Sequence, residues 1–400
     1  MKKLTFIAAA LLAATSLFTS CGGGSKKLDD RGILNLIYQK AGGDSWDEKA
    51  KENWCTEAEL GQWKNVKTNE EGRVTELVVR GAGEIPAEIS GLTELTDLLI
   101  VLRNDDLEQK IDNVIPASLA DLTKLESLRL NVSGSNYTVP ELKALKSLKT
   151  LYVRLPKDTP FPDLSGMEAL ESLDIDGGKG EIPESYYALP NLKRVSITTS
   201  GLTGGIDPKV ANLKKLEHLQ IDQTAGFIGK VASADAVLPS EIFLMQNLKR
   251  IFLRRVSTSG TIPASIGDMK NLQSVTIASC GLTGDIPKEV GNLTGLREFK
   301  IYDNKLTGSI PAEIGNMTSL KELWLQGNQL TGPIPAALGN LANLEGLQLA
   351  KNQLTGKIPA ELANCTKLGK GPFVDFSGNQ LDASIPAGLK ALEKFSKFKF

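Results

Sequence analysis

Four versions of one six-residue phrase, LTGDIP, LTGSIP, LTGPIP and LTGKIP, recur every 24 residues between Leu282 and Pro359. Each follows a frame L-x-x-Φ-x-Φ, with Φ apolar, that starts at Leu272, Leu296, Leu320 and Leu344. A fixed period of this length points to a solenoid, because one repeat cannot bury its apolar face except against copies of itself. The Φ-x-Φ alternation gives a strand with one face in the core. Proline closes each phrase, since it has no N–H for a ladder and its φ is fixed.

With the frame set, weaker copies emerge upstream. Core pairs fall at Leu77/Val79, Leu98/Ile100, Leu128/Leu130, Leu151/Val153, Leu173/Ile175, Val195/Ile197, Leu219/Ile221 and Ile251/Leu253. They continue at Val275/Ile277, Phe299/Ile301, Leu323/Leu325, Leu347/Leu349 and Val374/Phe376, which makes thirteen turns. The two or three domains that this chain length would ordinarily suggest give way to one array. Two insertions break it: the steps from Leu95 to Leu125 and from Leu216 to Leu248 are each longer than the regular period. Both follow a strand, so both are expected on one edge, where inserted loops often flank a binding face. The second carries Phe227 and Ile228, which either reach a partner or pack back onto the solenoid.

The full frame, L-x-x-L-x-L-x-x-N-x-L-T-G-x-I-P, resembles the plant-type leucine-rich repeat over roughly residues 74–390. The resemblance implies a repeat solenoid of the α/β class: a right-handed horseshoe with a parallel β-sheet on its concave face and an N-terminal helical cap. It also implies that Asn304, Asn328, Asn352 and Asn379 bond the backbone of neighbouring turns. Earlier turns place Ser200, Thr224, Val256 or Cys280 there, so a less regular upstream half is expected.

Residues 29–73 resemble the N-terminal cap of such arrays. Ile33, Leu34, Ile37 and Tyr38 make a stripe at helical spacing behind Asp29-Asp30, and Gly42-Gly43 stops the helix. Trp46, Trp54 and Trp63 are read as core covering the first turn. Only Cys55 lies near the place where the plant cap usually carries paired cysteines, so no cap disulfide is expected. Cys280 and Cys365 stand about four turns apart, or roughly 19 Å at 4.8 Å per rung, beyond disulfide reach. They read as small buried apolar residues. Residues 391–400 are read as an amphipathic closing helix or a frayed tail.

At the other end, Met1-Lys2-Lys3 and the apolar run behind it read as a secretory signal over residues 1–20. The stretch FTSC resembles a bacterial lipobox, which implies lipid on Cys21 and a short tether over 21–28. Two acyl chains would anchor the chain firmly, at about 0.8 kcal/mol per buried methylene. No other run approaches the roughly 18 apolar residues of a membrane span. An exported, membrane-anchored lipoprotein of a bacterial outer membrane or cell surface is the expectation. The net charge of −1 gives no basic field for nucleic acid.

Residues alternating with the core pairs face away from the core. Among them Trp324, Tyr302, Lys300, Phe252, Arg254 and Arg250 read as one aromatic and cationic patch, the residue types that dominate interface energetics. The same aromatics would equally stabilise the sheet by stacking across strands. A second, polar cluster holds Asp174, Asp176, Arg194, His218 and Asp222. Asp176 and Asp222 share a column and stand about 10 Å apart, wide for a metal, so a solvated face with Arg–Asp pairing stands beside a cation or sugar-hydroxyl site. His218 is the only histidine and has no convincing nucleophile beside it. No phosphate loop or metal-spaced Cys/His cluster is present in the sequence. The expectation is a non-enzymatic, monomeric binding module without cofactor or metal, engaging a protein through its concave face and inserted loops as a possible adhesin. A glycan-capturing lipoprotein and a structural envelope component are the alternatives.

Overall fold

The structure, a computed structural model, describes residues 27–105, 114–134, 137, 139–223, 237–256 and 259–400. Cys21, Phe227 and Ile228 lie outside them.

The described chain begins with an α-helix, Asp30–Lys40, whose N-cap Asp29 accepts the Gly32 N–H at 2.8 Å. A side-chain acceptor there satisfies a donor that the helix itself cannot. Ile33, Leu34 and Ile37 are fully buried. The neighbouring Asp30 carboxylate, also buried, accepts from Arg73 Nε and, at 2.8 Å, from the Val74 N–H, tying the helix to the first long strand. Trp46, Trp54 and Trp63 are buried as expected and pack edge-on or tilted in a chain, with ring centroids 5.1 and 5.4 Å apart.

A short strand, Val66–Thr68, pairs antiparallel with Val74–Gly81. From there the main sheet is parallel, one strand per turn in chain order. Register is unbroken through the core column Leu128, Leu151, Leu173, Val195, Leu219, Ile251, Val275, Phe299, Leu323, Leu347 and Val374. Every one of the thirteen expected core pairs is buried.

Each I-P step opens a one-turn 3₁₀ helix on the far side of the coil, such as Ala264–Asp268 behind Pro263 and Ala312–Asn316 behind Pro311. Proline needs no donor at this point, and its carbonyl accepts the N–H three residues on, Ile266 to Pro263 at 3.1 Å. The residue that makes that bond (Ile266, Val290, Ile314, Leu338, Leu362) is completely buried. Gly315 lets successive coils meet here: a Cβ would lie 2.4 Å from the Ala337 carbonyl oxygen.

The two halves differ in their strands. Thr150–Pro160 spans 11 residues, whereas Glu298–Lys300 and Glu322–Trp324 span 3 each. In the later half the LTG segments pair with one another instead, as Thr331–Pro333, Gln353–Gly356 and Gln380–Leu381 do in a separate parallel ribbon.

The C-terminal segment corrects the expectation of a closing helix or frayed tail. Its α-helix is one turn, Ala387–Lys390, and Phe398–Lys399 then adds a further parallel strand against Val374–Asp375. Phe398 thus stands one regular period after Val374, as a fourteenth rung. It is buried, and Phe376, Phe395 and Phe400 gather around it. Cys280 and Cys365 are buried and outside any disulfide, and burial pushes their thiols up to about 12 and about 11. No described helix is long and apolar enough to cross a membrane.

Candidate functional site

The asparagine ladder is present where the resemblance implied it. Asn328 donates to the carbonyls of Ile301 (2.8 Å) and Leu325 (3.0 Å) and accepts the Leu306 N–H at 3.1 Å. Asn304, Asn352 and Asn379 bond in the same way. Buried backbone groups leaving the strand would otherwise lack partners, so this column fixes where each strand ends and the open face begins. Upstream, Asn104 does a related task that the sequence frame missed. It is buried and bonds both the N–H and the carbonyl of Gly83. It lies four residues after its core Ile100 rather than three. At a later irregular turn the bonding hydroxyl belongs to Thr199, donating to the Gly178 carbonyl at 2.6 Å, and not to Ser200.

On the open face, Lys300, Trp324 and Gln348 are direct register neighbours. Trp324 is half-buried, with the Lys300 ammonium 4.4 Å from its ring centre, Tyr302 at 5.8 Å and Phe373 at 6.1 Å, edge to face. Lys300 is held there by Glu322 at 2.9 Å and Glu298 at 3.3 Å. Gly346, opposite Glu322, has no side chain to separate Trp324 from Phe373. Phe373 is 49% exposed. It was missed in the sequence because the step from Leu347 to Val374 is longer than the regular period, and the three extra residues hid its place on the face. The indole Nε1–H is buried without a partner, so the ring turns its apolar edge outward.

The expected single patch divides into two. Phe252 is separated from Trp324 by the rungs of Thr276 and Lys300, about 14 Å along the sheet. It lies instead between Arg250 and Arg254, each guanidinium 5.8 Å from its ring. Arg254 is locked to Asp222, with its Nε 2.8 Å from that carboxylate.

The expected polar cluster is likewise redistributed. Asp222 is taken by Arg254, Asp176 pairs with Arg154 at 3.5 Å, and burial raises the carboxyl of Asp174, whose side chain bonds Ser196. Among the described residues no group of acidic, histidine or cysteine side chains is arranged to hold a metal. What remains of the cluster is basic: Arg194 and His218, next to Arg250 in one register column.

A further pattern borders this face. The residue just before each strand alternates in sign, Glu126, Lys149, Glu171, Lys193, Glu217 and Lys249, and neighbours pair at 2.7–2.8 Å. The alternation is legible in the sequence once the position preceding the core frame is followed down the rungs.

A stack of parallel rungs, a buried asparagine column and an open inner sheet define a repeat scaffold of the ligand-presenting shape. The fold is that of a leucine-rich-repeat solenoid, and its repeats resemble those of the plant type. Residues 295–317, 319–341 and 343–365 match the Leucine Rich Repeat family, and no curated protein sequence matches the chain. Among solved structures, it resembles the ectodomain of the Arabidopsis receptor kinase HAESA, crystallised with a peptide hormone (TM-score 0.73, 24% identity, covering 90% of this chain and 60% of that one). It also resembles a TDR receptor (0.67, 30%, 81% and 54%) and a leucine-rich-repeat protein of Leptospira interrogans (0.56, 23%, 78% and 81%). The chain therefore spans only between half and three fifths of the two receptor chains. To the HAESA ectodomain and the Leptospira protein the likeness is one of fold.

Proposed function

We propose that this chain is a non-enzymatic binding protein that holds a protein or peptide segment against its inner sheet, with Phe373, Trp324 and Tyr302 as the apolar contact. Phe373 carries the reading: it is a large aromatic, half exposed, set edge to face with Trp324, which packs in turn on Tyr302, on rungs whose ends are fixed by asparagines. Clustered aromatics on a rigid, preformed surface are what binding energy concentrates on. The HAESA ectodomain, of like fold, was solved with a peptide bound. Lys300 covers one face of the indole, which leaves less open ring for a sugar to stack on, so a polypeptide is favoured over a glycan. We read residues 1–20 as an export signal and Cys21 as the lipidated anchor that keeps this face at a cell surface.

The test is to pan a displayed peptide library and a glycan array against the protein, then measure the selected ligand on Phe373→Ala and Trp324→Ala. Affinity should fall at least about tenfold for a residue at an interface centre while the melting transition of Phe373→Ala stays in place. Unchanged affinity in both variants, or capture of glycans alone, overturns the reading.

A further inference from the structure

We propose that Arg194, His218 and Arg250 form an oxyanion-binding column at the middle of the inner sheet, its affinity rising as pH falls. The sequence suggested the opposite polarity here, a cluster rich in carboxylates. The structure engages those carboxylates one by one, Asp222 with Arg254, Asp176 with Arg154 and Asp174 with Ser196, and Glu217, beside the ring, is taken by Lys249 at 2.7 Å. The three bases are left on consecutive rungs, Arg194 opposite His218 and His218 opposite Arg250. At about 4.8 Å per rung the two arginines start about 10 Å apart with the imidazole between them. That span lets two long side chains converge on one group.

Both arginines are exposed, and among the described residues no hydrogen bond or ion pair holds either guanidinium; Arg250 rests against the Phe252 ring. The His218 Nδ1 atom is buried with no partner in the protein. Two fork-shaped donors beside an unpartnered ring nitrogen suit a carboxylate, sulfate or phosphate group. Serines continue the column on either side, Ser172 and Ser274, and the next carboxylate along it, Glu298, is engaged by Ser274 at 2.6 Å and by Lys300.

The pH dependence follows from the charges around the ring. Burial first, then Arg194, Lys249 and Arg250, hold His218 below the ordinary imidazole range, while Glu217 acts the other way. Of the remaining groups on the flanking strands, Lys193 is paired with Glu171, and Asp174 lies in the next column against Ser196. An anion between the arginines cancels the repulsion that keeps the ring neutral. Protonation and anion binding therefore favour each other by the same factor.

Because His218 is the only histidine in the chain, its ring Cε1–H resonance in an untagged sample is a single reporter. Its pKa is measured by NMR in chloride, in sulfate, and with a tetraglutamate peptide. Sulfate stays a dianion throughout this range, so the ring alone titrates. The expected result is a pKa below about 6.5 that rises when sulfate or peptide is added, with sulfate bound more tightly below the ring's pKa than at pH 8, by about tenfold for each unit of rise. Arg194→Gln combined with Arg250→Gln should abolish the ligand-induced shift and raise the ligand-free pKa. His218→Gln should keep binding at pH 8 and lose the increase at pH 5. Tighter binding of the peptide assigns the column to an acidic polypeptide segment, and tighter binding of sulfate assigns it to a free anion; either supports the site. A resonance that ignores both probes, or shifts equally in the double variant, overturns it. The aromatic cluster about four rungs away is unaffected by these changes, so failure here leaves the proposed function standing.

Discussion

The two halves of the solenoid hold their rungs together by different means. From about Cys280 to Leu381 the strands are two to four residues long, and an asparagine in each turn, buried in all but the last, bonds backbone above and below. From Val74 to Arg254 the strands of the main sheet, apart from the two-residue Gly201–Leu202, run from five to eleven residues, the asparagine column is mostly missing, and an alternating Glu/Lys border spans the rungs on the solvent side. Both halves bury the same pair of apolar residues per turn. The difference teaches what the asparagine is for. Where a strand stops at once after its core pair, the backbone turns away inside the protein and needs a buried partner. Where the strand runs on, its own ladder serves those groups over the same stretch.

The sharpest way to break this comparison is at its strongest point. Asn328→Ala leaves the Ile301 carbonyl and the Leu306 N–H without their partners in the core and takes one of two donors from the Leu325 carbonyl, which keeps Asn352; at 1–3 kcal/mol per orphaned group a loss of about 3 kcal/mol is expected. Hydrogen exchange at the Leu306 and Leu330 amides would show it as opening of the later rungs while the earlier ones stay protected. Asn104→Ala orphans one N–H and one carbonyl of Gly83, so about 2 kcal/mol is expected, read by urea denaturation. Should Asn104→Ala cost more than Asn328→Ala, the two halves do not differ as described.

Reversing a border charge, Glu217→Lys, is expected to do less than either. It replaces an attraction to Lys249 with repulsion on a wet margin, and such pairs contribute little and are screened by salt. The difference in melting temperature from the parent should shrink in high salt, whereas the Asn328→Ala difference should not. The smallest effect is that of pH on His218. Its folded pKa is depressed, so the unfolded chain takes up the proton first. Stability from this group is present above the ordinary pKa of about 6.5 and is lost as pH falls through the folded value. His218→Gln should flatten the stability curve between pH 7 and 5 in chloride.

The fold was legible because the strand pairs are written at a fixed offset from one another. All thirteen pairs followed from counting, and the four asparagines from the resemblance to the plant-type repeat. What escaped was displaced from that offset. Asn104 sits one residue late on a longer strand, Phe373 stands behind three extra residues, and the fourteenth rung lacks the L-x-x-Φ frame and announces itself only through Phe398. The site was less legible for another reason. A column in the sequence says which side chains are neighbours, but not which of two neighbours a long side chain will choose. Arg254 reaching back to Asp222 split one expected patch and, with Arg154 on Asp176, left the basic members of the expected polar cluster to one another. Lys300 stacking on Trp324 was visible as adjacency, its capture by Glu298 and Glu322 was not.

The alternating border also governs how the molecule can change size. Excise the coil that carries Lys193, and Glu171 comes to rest beside Glu217; excise two coils, and opposite signs meet again. Gain or loss of units in the middle is thus subject to parity, while in the asparagine-bonded portion the bonds that join the coils repeat from one coil to the next and set no such condition.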